Sequence, residues 1–207
     1  TPMKTALVTT LSAATLALSL ATAAHAAGPN LVVNGSFEAD VIPTGTWEIW
    51  TTITGWTGAP NIELQRQLEG NLAQDGQQLV ELDTYANSAM SQTINATGWV
   101  TLSFWYTPRI GWPAGTHGIE VSLGSFSSTV MQSVAGGNVP DWQHFSALVD
   151  LGNSGSAVLR FAATGTSDMA GGLIDNVSVT AVPEPASAWL ALAGGAWLVA
   201  RRRRAGR

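Results

Sequence analysis

The chain has 207 residues, of which 45% are hydrophobic and 8% aromatic, with nine tryptophans and no cysteine. This length suits one domain of ordinary size, and the apolar content excludes intrinsic disorder. Without cysteine, disulfides, zinc–thiolate sites, thiol nucleophiles and iron–sulfur clusters are all excluded.

The formal net charge of −5 hides a strong asymmetry along the chain. Six of the nine basic residues lie near the two ends, and residues 27–181 carry three arginines against thirteen acidic residues, a formal charge of −10. A surface this acidic repels a phosphate backbone, so we expect no nucleic-acid partner. The acidic residues serve either divalent cations or solubility.

The first 26 residues follow the order of a secretory signal peptide. Lys4 supplies a positive charge, an apolar run begins at Ala6, and the small-residue site Ala24-His25-Ala26 follows. This order predicts a signal helix over residues 1–26, cleavage after Ala26 and export of the protein. An uncleaved N-terminal membrane anchor is the alternative interpretation.

The middle of the chain, residues 27–181, contains short apolar stretches separated by Gly, Asn, Asp, Ser and Pro. Several alternate with period two; in residues 99–107, Leu102 and Phe104 fall on one side and Trp105 on the other. This pattern predicts an all-β domain, an antiparallel β-sandwich or jelly roll with one buried face per layer. The predicted strands are 31–33, 78–82, 88–94, 99–107, 118–124, 127–134, 142–151, 157–163 and 173–180.

The last part of the chain, residues 182–207, has the composition of a short membrane segment. Two prolines precede an apolar run over residues 186–200, and four consecutive arginines begin at Arg201. As a helix, this run would rise about 22 Å, less than the ~30 Å hydrocarbon core of a bilayer. We therefore predict a short transmembrane helix, held with its arginines in the cytoplasm, that contacts the membrane transiently.

The tail resembles the PEP-CTERM sorting signal in the order of its three parts: Val182-Pro183-Glu184-Pro185, the apolar run and the arginine cluster. In that family an exosortase, a membrane transpeptidase, recognises and removes the tail, and the hosts make extracellular polysaccharide. The resemblance implies that Pro183, Glu184 and Pro185 form a sorting signal. It also implies exosortase as a partner and a location at the cell surface or in the extracellular biofilm matrix.

The middle domain contains three motifs in the order Asn34-Gly35-Ser36-Phe37-Glu38, Val80-Glu81-Leu82-Asp83 and Gly172-Leu173-Ile174-Asp175-Asn176-Val177-Ser178. In these motifs it resembles the galactose-binding-like jelly rolls, especially the cell-wall-associated domain of unknown function. The resemblance implies a carbohydrate-associated domain whose first and last strands lie side by side and hold a structural calcium. Glu38 and Asp175 resemble the positions that carry this ion. Alternatively, Glu38 is a solvated carboxylate and Asp175 is a turn or strand-end residue.

Carbohydrate binding needs an exposed aromatic ring beside polar groups that pair with hydroxyls. Trp105 is predicted to point outward, Arg109 shares its parity, and Trp112 lies in the next loop. These three residues are the candidate ligand-binding site, for an extracellular polysaccharide. The alternative is that these tryptophans are structural, as we expect for roughly four or five of the seven outside the tail.

The sequence holds no motif of a catalytic site. His117 and His144 are the two histidines outside the signal peptide, and neither lies in a metalloprotease spacing or beside a nucleophile elbow. We therefore predict a non-enzyme, a carbohydrate-associated binding module that is exported and sorted to the surface. The alternatives are a structural or adhesive matrix protein that binds no sugar, and a polysaccharide hydrolase.

Overall fold

The structure, a computed structural model, describes residues 28–130 and 133–183. The predicted signal peptide and most of the predicted sorting tail, including Glu184, Pro185 and segment 186–200, lie outside these residues. Within the described ranges, no helix is long and apolar enough to cross a membrane. The predictions for the two ends of the chain therefore stay predictions.

The described residues form ten strands and one short 3-10 helix, Leu68–Gly70. Every strand pairing is antiparallel, as the period-two alternation predicts. The strands are β1 (Thr46–Ile53), β2 (Trp56–Arg66), β3 (Gln78–Glu81), β4 (Ala89–Ile94), β5 (Trp99–Thr107), β6 (Gly118–Leu123), β7 (Phe126–Val130), β8 (Gln143–Asp150), β9 (Ala157–Thr164) and β10 (Leu173–Ala181).

The strands pair in the order β7-β6-β9-β4-β2-β3-β10-β5-β8. Strand β1 lies off this path and pairs with β2. The long strand β2 joins two layers, because its residues Thr57 and Gly58 pair with β4 whereas its residues 63–66 pair with β3. Side chains from the two layers meet in a common core: the rings of Phe104 on β5 and Phe161 on β9 lie 5.0 Å apart. The prediction of an antiparallel sandwich is therefore confirmed.

The core follows from the alternation of the sequence. On β5, Leu102 and Phe104 are fully buried, and on β6 every second residue from Ile119 is buried. Burial of apolar surface of this kind contributes roughly 25 cal/mol per Å². Of the seven tryptophans in the described residues, only Trp56 is fully buried. Trp105, Trp112 and Trp142 are half-buried, so four of the seven bury most of their surface, in line with the expectation that four or five are structural.

Eight of the nine predicted strands are present, and the exception is segment 31–33. This segment runs beside β10, with the Leu31 amide donating to the Val179 carbonyl at 2.8 Å. It forms no ladder because the amides of Val32 and Val33 donate to the side chains of Asn30 and Gln92 instead. The expected proximity of the first segment and the last strand holds, although the first segment is not a strand.

Candidate functional site

Two carboxylates lie side by side on the face of the sheet that points away from the core. Glu63 on β2 and Glu81 on β3 are register partners, and their side chains are 6% and 0% exposed. The residues on either side of each of them, Ile62, Leu64, Val80 and Leu82, belong to the core. The outward face of β2 and β3 is therefore buried as well, although its residues are polar.

Connecting segments cover this outward face. The amide of Gly171, just before β10, donates to Glu81 Oε1 at 2.5 Å. Asp83 holds the same connection by accepting the amides of Asp168 at 2.8 Å and Met169 at 3.0 Å. The loop between β2 and β3 joins the β5–β6 loop where the Ile110 amide donates to Asn71 Oδ1. These contacts exclude water from the carboxylate pair.

Arg109 links the buried carboxylates to the surface. Its guanidinium donates to Glu81 Oε2 at 2.7 Å and to Glu69 Oε2 at 3.1 Å. The side chain of Arg109 is 9% exposed, whereas that of Glu69 is 63% exposed. The ring of Trp112 lies 5.8 Å from the guanidinium carbon, within cation–π range. We call Glu63, Gln65, Glu69, Glu81 and Arg109 the Arg109 cluster.

The carboxylate pair retains a proton near neutral pH. Burial raises the pKa of Glu81 to about 8, the nearby charge of Glu63 adds to this effect, and Arg109 opposes it. Burial also raises the pKa of Glu63. Gln65 Nε2 donates to Glu63 Oε1 and to Glu81 Oε2, each at 2.8 Å. The raised pKa values, which favour a neutral carboxyl, and the positive charge of Arg109 together make the burial of the cluster tolerable.

Several buried polar atoms of the cluster and its surroundings have no hydrogen-bond partner among the described residues. Among them are Gln65 Oε1, Asn71 Nδ2 and Arg109 Nε. Buried polar atoms in native proteins are nearly always paired with protein, water or ligand. Glu69 and Met169, both of which contact Arg109, have positive φ angles of 52° and 66°. Such backbone strain concentrates at functional sites, so both observations point to this region.

The structure brings together two of the three predicted ligand-binding residues. Arg109 and Trp112 are in contact, and Trp112 is half-buried at the surface. Trp105 lies on the outward face of β5, as the alternation predicts, and its ring is tilted against that of His144, with 4.9 Å between the ring centroids. Thr107, two residues further along β5, ends a row of paired residues that crosses the sheet from Glu63 through Glu81 and Leu173. On the same face of the sheet, Trp105 therefore lies in the row next to the one that holds Glu63 and Glu81.

The sequence reasoning missed Glu63, Gln65, Glu69 and Glu81. On an alternating strand, an acidic residue opposite the core is expected to be solvated, and nothing local shows that loops fold over it. One signal was available in the charge balance. Because the domain has three arginines and thirteen acidic residues, each arginine is expected to have several carboxylates within reach.

The predicted calcium ligands, Glu38 and Asp175, hold the two ends of one loop segment. Glu38 Oε1 accepts the amides of Gln77 and Gln78, and Asp175 Oδ2 accepts those of Gln74 and Asp75. Asp175 Oδ1 accepts the amide of Asn176 at 2.6 Å.

This donor set fits calcium poorly. Calcium takes six to eight oxygen ligands. The described residues contain no group of three or more acidic or histidine side chains that could hold a metal. Main-chain amides of residues 74–78 already donate to Glu38 Oε1 and Asp175 Oδ2. An ion at this position would therefore need main-chain carbonyls as its remaining ligands.

A surface pocket of about 210 Å³ lies near the end of β5 and the beginning of β8. Its lining includes Tyr106, Pro108, Asp141 and Gln143. The Tyr106 hydroxyl donates to Gln143 Oε1 at 3.3 Å. The pocket thus has an aromatic wall beside polar groups, on the side of β5 opposite to Trp105.

No family model matches the chain, and no curated protein matches it either. Among solved structures it is similar to a Stig cyclase, Fisc from Fischerella sp. TAU, with a TM-score of 0.58 and 16% identity over 76% of this chain and 99% of that one. Two lower-scoring likenesses are TmCBM61 in complex with β-1,4-galactotriose (TM-score 0.46, 18% identity, 73% and 98% covered) and a family 35 carbohydrate-binding module from Clostridium thermocellum (TM-score 0.41, 16% identity, 65% and 97% covered). The likeness to the Fischerella protein shows the fold alone, an all-β antiparallel sandwich that spans nearly the whole of both domains.

Proposed function

We propose that the protein is an exported, non-catalytic carbohydrate-associated module that binds saccharide hydroxyls at the mouth of the Arg109 cluster. The observation that carries this proposal is the contact of Arg109 with both Trp112 and the exposed carboxylate of Glu69. An aromatic ring beside charged donors and acceptors is the chemistry that sugar recognition needs.

The atoms available at the mouth match a hydroxyl-bearing ligand. Glu69 carries an exposed acceptor, and the Arg109 guanidinium that it contacts keeps a small exposed edge with N–H donors. A hydroxyl group both donates and accepts, so adjacent hydroxyls of one sugar ring can pair with both side chains. Trp105, with its outward ring on the same face of the sheet, would contact a longer saccharide chain.

The cluster supports binding rather than hydrolysis. Glycosidases place two carboxyl groups on either side of the scissile bond, where both reach the substrate. Here Glu81 is 0% exposed and Glu63 is 6% exposed, and the connection before β10 donates a hydrogen bond to Glu81 from the Gly171 amide. Release of reducing sugar from the host polysaccharide by the purified protein would instead support a polysaccharide hydrolase.

A glycan array with the purified chain tests the proposal. We expect binding to an extracellular polysaccharide, weakened about tenfold or more by Trp112→Ala, because a stacking partner of this kind contributes on the order of 1–2 kcal/mol. The matched control is Trp47→Ala on β1, which removes an exposed ring (47% exposed) at the opposite edge of the layer. A blank array with folded protein would contradict sugar binding and favour the structural or adhesive alternative.

Export and exosortase-type sorting are part of the same proposal and rest on the sequence of the two ends. If the tail is processed, intact-mass analysis of the surface protein should show the loss of residues after Pro183-Glu184-Pro185. Recovery of a chain that still ends in Arg207 would contradict processing.

A structural calcium between Glu38 and Asp175 also stays a proposal, supported by the family resemblance and by the hydrogen bonds that both carboxylates accept from one loop segment, residues 74–78. Thermal melts in EDTA and in added calcium test it. If calcium binds, its addition raises the Tm of the wild-type chain, and the increase is lost in Asp175→Asn. Equal midpoints in both buffers would remove the ion.

A further inference from the structure

Strand β8 ends the sheet with a free edge. It is the last strand of the pairing order, and its only partner strand in the described part of the chain is β5. The β5–β8 ladder runs without a bulge from Trp99↔Asp150 to Tyr106↔Gln143. The outer edge of β8 is therefore straight over eight residues.

This edge lacks the features that normally prevent strand pairing. Natural edge strands are protected by proline, lysine, bulges or short length. The β8 sequence QHFSALVD has no proline and no basic residue other than His144. On the core side, Phe145 and Ala147 are only half-buried, and on the outward side Leu148 is 59% exposed. A second strand beside β8 would cover all three side chains.

We infer that β8 pairs with β8 of a second copy of this chain in an antiparallel, two-fold symmetric arrangement centred on Ala147. Residues opposite each other in an antiparallel pair point to the same face, so the two core faces must coincide. The two-fold axis must then pass between the two copies of one residue, so that this residue lies opposite itself.

Charge complementarity selects Ala147 among the possible centres. With Ala147 on the axis, His144 of each copy lies opposite Asp150 of the other, and the symmetry makes this contact twice. His144 donates a hydrogen bond in either protonation state, and Asp150 accepts one. A centre at Ser146 would place His144 opposite Leu148, and a centre at Leu148 would place Asp150 opposite Ser146. Neither alternative gives a polar pair of this kind.

The arrangement also suits the apolar side of the strand. With Ala147 at the centre, Phe145 lies opposite Val149, and both continue the core side of the layer into the partner. The small Ala147 side chains meet on the axis. Because the interface is isologous, it closes on itself and gives a dimer rather than a fibre.

Cross-linking tests the register, since the chain has no cysteine of its own. In the inferred pair, the two Ala147 Cα atoms lie about 4.5–5.5 Å apart, within the range of a disulfide. We therefore expect oxidised Ala147→Cys to run as a covalent dimer. The control, Ser127→Cys at the exposed surface of β7, should stay monomeric under the same conditions.

The mass in solution tests the interface with the full chain. We expect a dimer in sedimentation equilibrium, with a dissociation constant raised at least tenfold by His144→Asp, which sets carboxylates opposite each other. The double variant His144→Asp/Asp150→His should restore it, and Thr129→Asp on β7 should have no effect. A monomer at all concentrations overturns the inference. So does a dimer that survives His144→Asp, as association through the tail would.

Discussion

Arg109 determines whether the Glu81 carboxylate can be buried. Removing one partner of a buried ion pair is far more costly than the pair is stabilising, because the remaining charge is left without compensation. Glu81 has no exposed surface and only Gln65, Gly171 and Arg109 as hydrogen-bond partners among the described residues. Arg109 is thus first a structural residue, and it presents only its outer edge to a ligand.

Arg109→Met should therefore lower the free energy of unfolding by about 3–5 kcal/mol, the usual cost of breaking a buried pair. The control is Arg160→Met, whose contact with Glu120 at 3.6 Å joins two side chains that are 44% and 43% exposed. Such a pair contributes about 0–1 kcal/mol. Urea denaturation of both variants measures the difference. Equal losses would contradict the assigned role of Arg109.

The candidate site shows what alternation can and cannot predict at a single residue. The alternation correctly predicted that Trp105 lies on the outward side of β5, because successive side chains of a strand point to opposite faces. It could not show that Arg109 is buried, because that depends on the loop that carries Glu69 and on the connection that carries Met169. Both segments are distant in sequence, and neither has a periodic pattern.

At the scale of elements, the sequence predicted strands well wherever one face is buried. The prediction of β5 matches the observed range, Trp99–Thr107, because its residues alternate between core and surface. Strands β1 and β2 were missed for two reasons. Strand β1 pairs with β2 alone, so its burial does not alternate, and β2 crosses between the two layers and contains Gly58 and Pro60.

The β7–β8 connection positions the Arg109 main chain. The Gly136 amide donates to the Trp112 carbonyl at 2.8 Å, and a Cβ atom at Gly136 would overlap the Arg109 carbonyl oxygen. Gly136→Ala should therefore push the two segments apart. We expect a loss of about 1–3 kcal/mol of stability, the usual cost of overpacking, and weaker ligand binding.

The neighbouring glycine is a matched control. A Cβ atom at Gly137 would lie 3.7 Å from the nearest atom, the Val139 carbonyl oxygen, at an ordinary contact distance. Gly137→Ala should keep wild-type stability or gain up to about 1 kcal/mol, since alanine restricts the unfolded chain. Chemical denaturation distinguishes the two variants. Equal behaviour would show that the connection does not pack on Arg109.

For the whole molecule, the burial of carboxyl groups should make the folded state less stable as the pH rises. The pKa of Glu81 rises from an ordinary 4.5 to about 8 in the folded state, first through burial and then through Glu63. Burial likewise raises the pKa of Asp175 to about 7. The folded protein thus binds protons that the unfolded chain has already released at neutral pH, so folding becomes less favourable as the pH rises.

We therefore expect the free energy of unfolding to fall between pH 5 and pH 8, by at most about 1.4 kcal/mol per pH unit for each proton retained. In Glu63→Gln the like charge beside Glu81 is gone, so Glu81 ionises more easily next to Arg109 and the fall should be shallower. Glu48→Gln, at an exposed position on β1, should keep the wild-type slope. Urea denaturation at several pH values measures all three chains. A wild-type stability that rises steadily from pH 5 to pH 8 would show that Glu63 and Glu81 are both ionised, with Arg109 alone offsetting their burial.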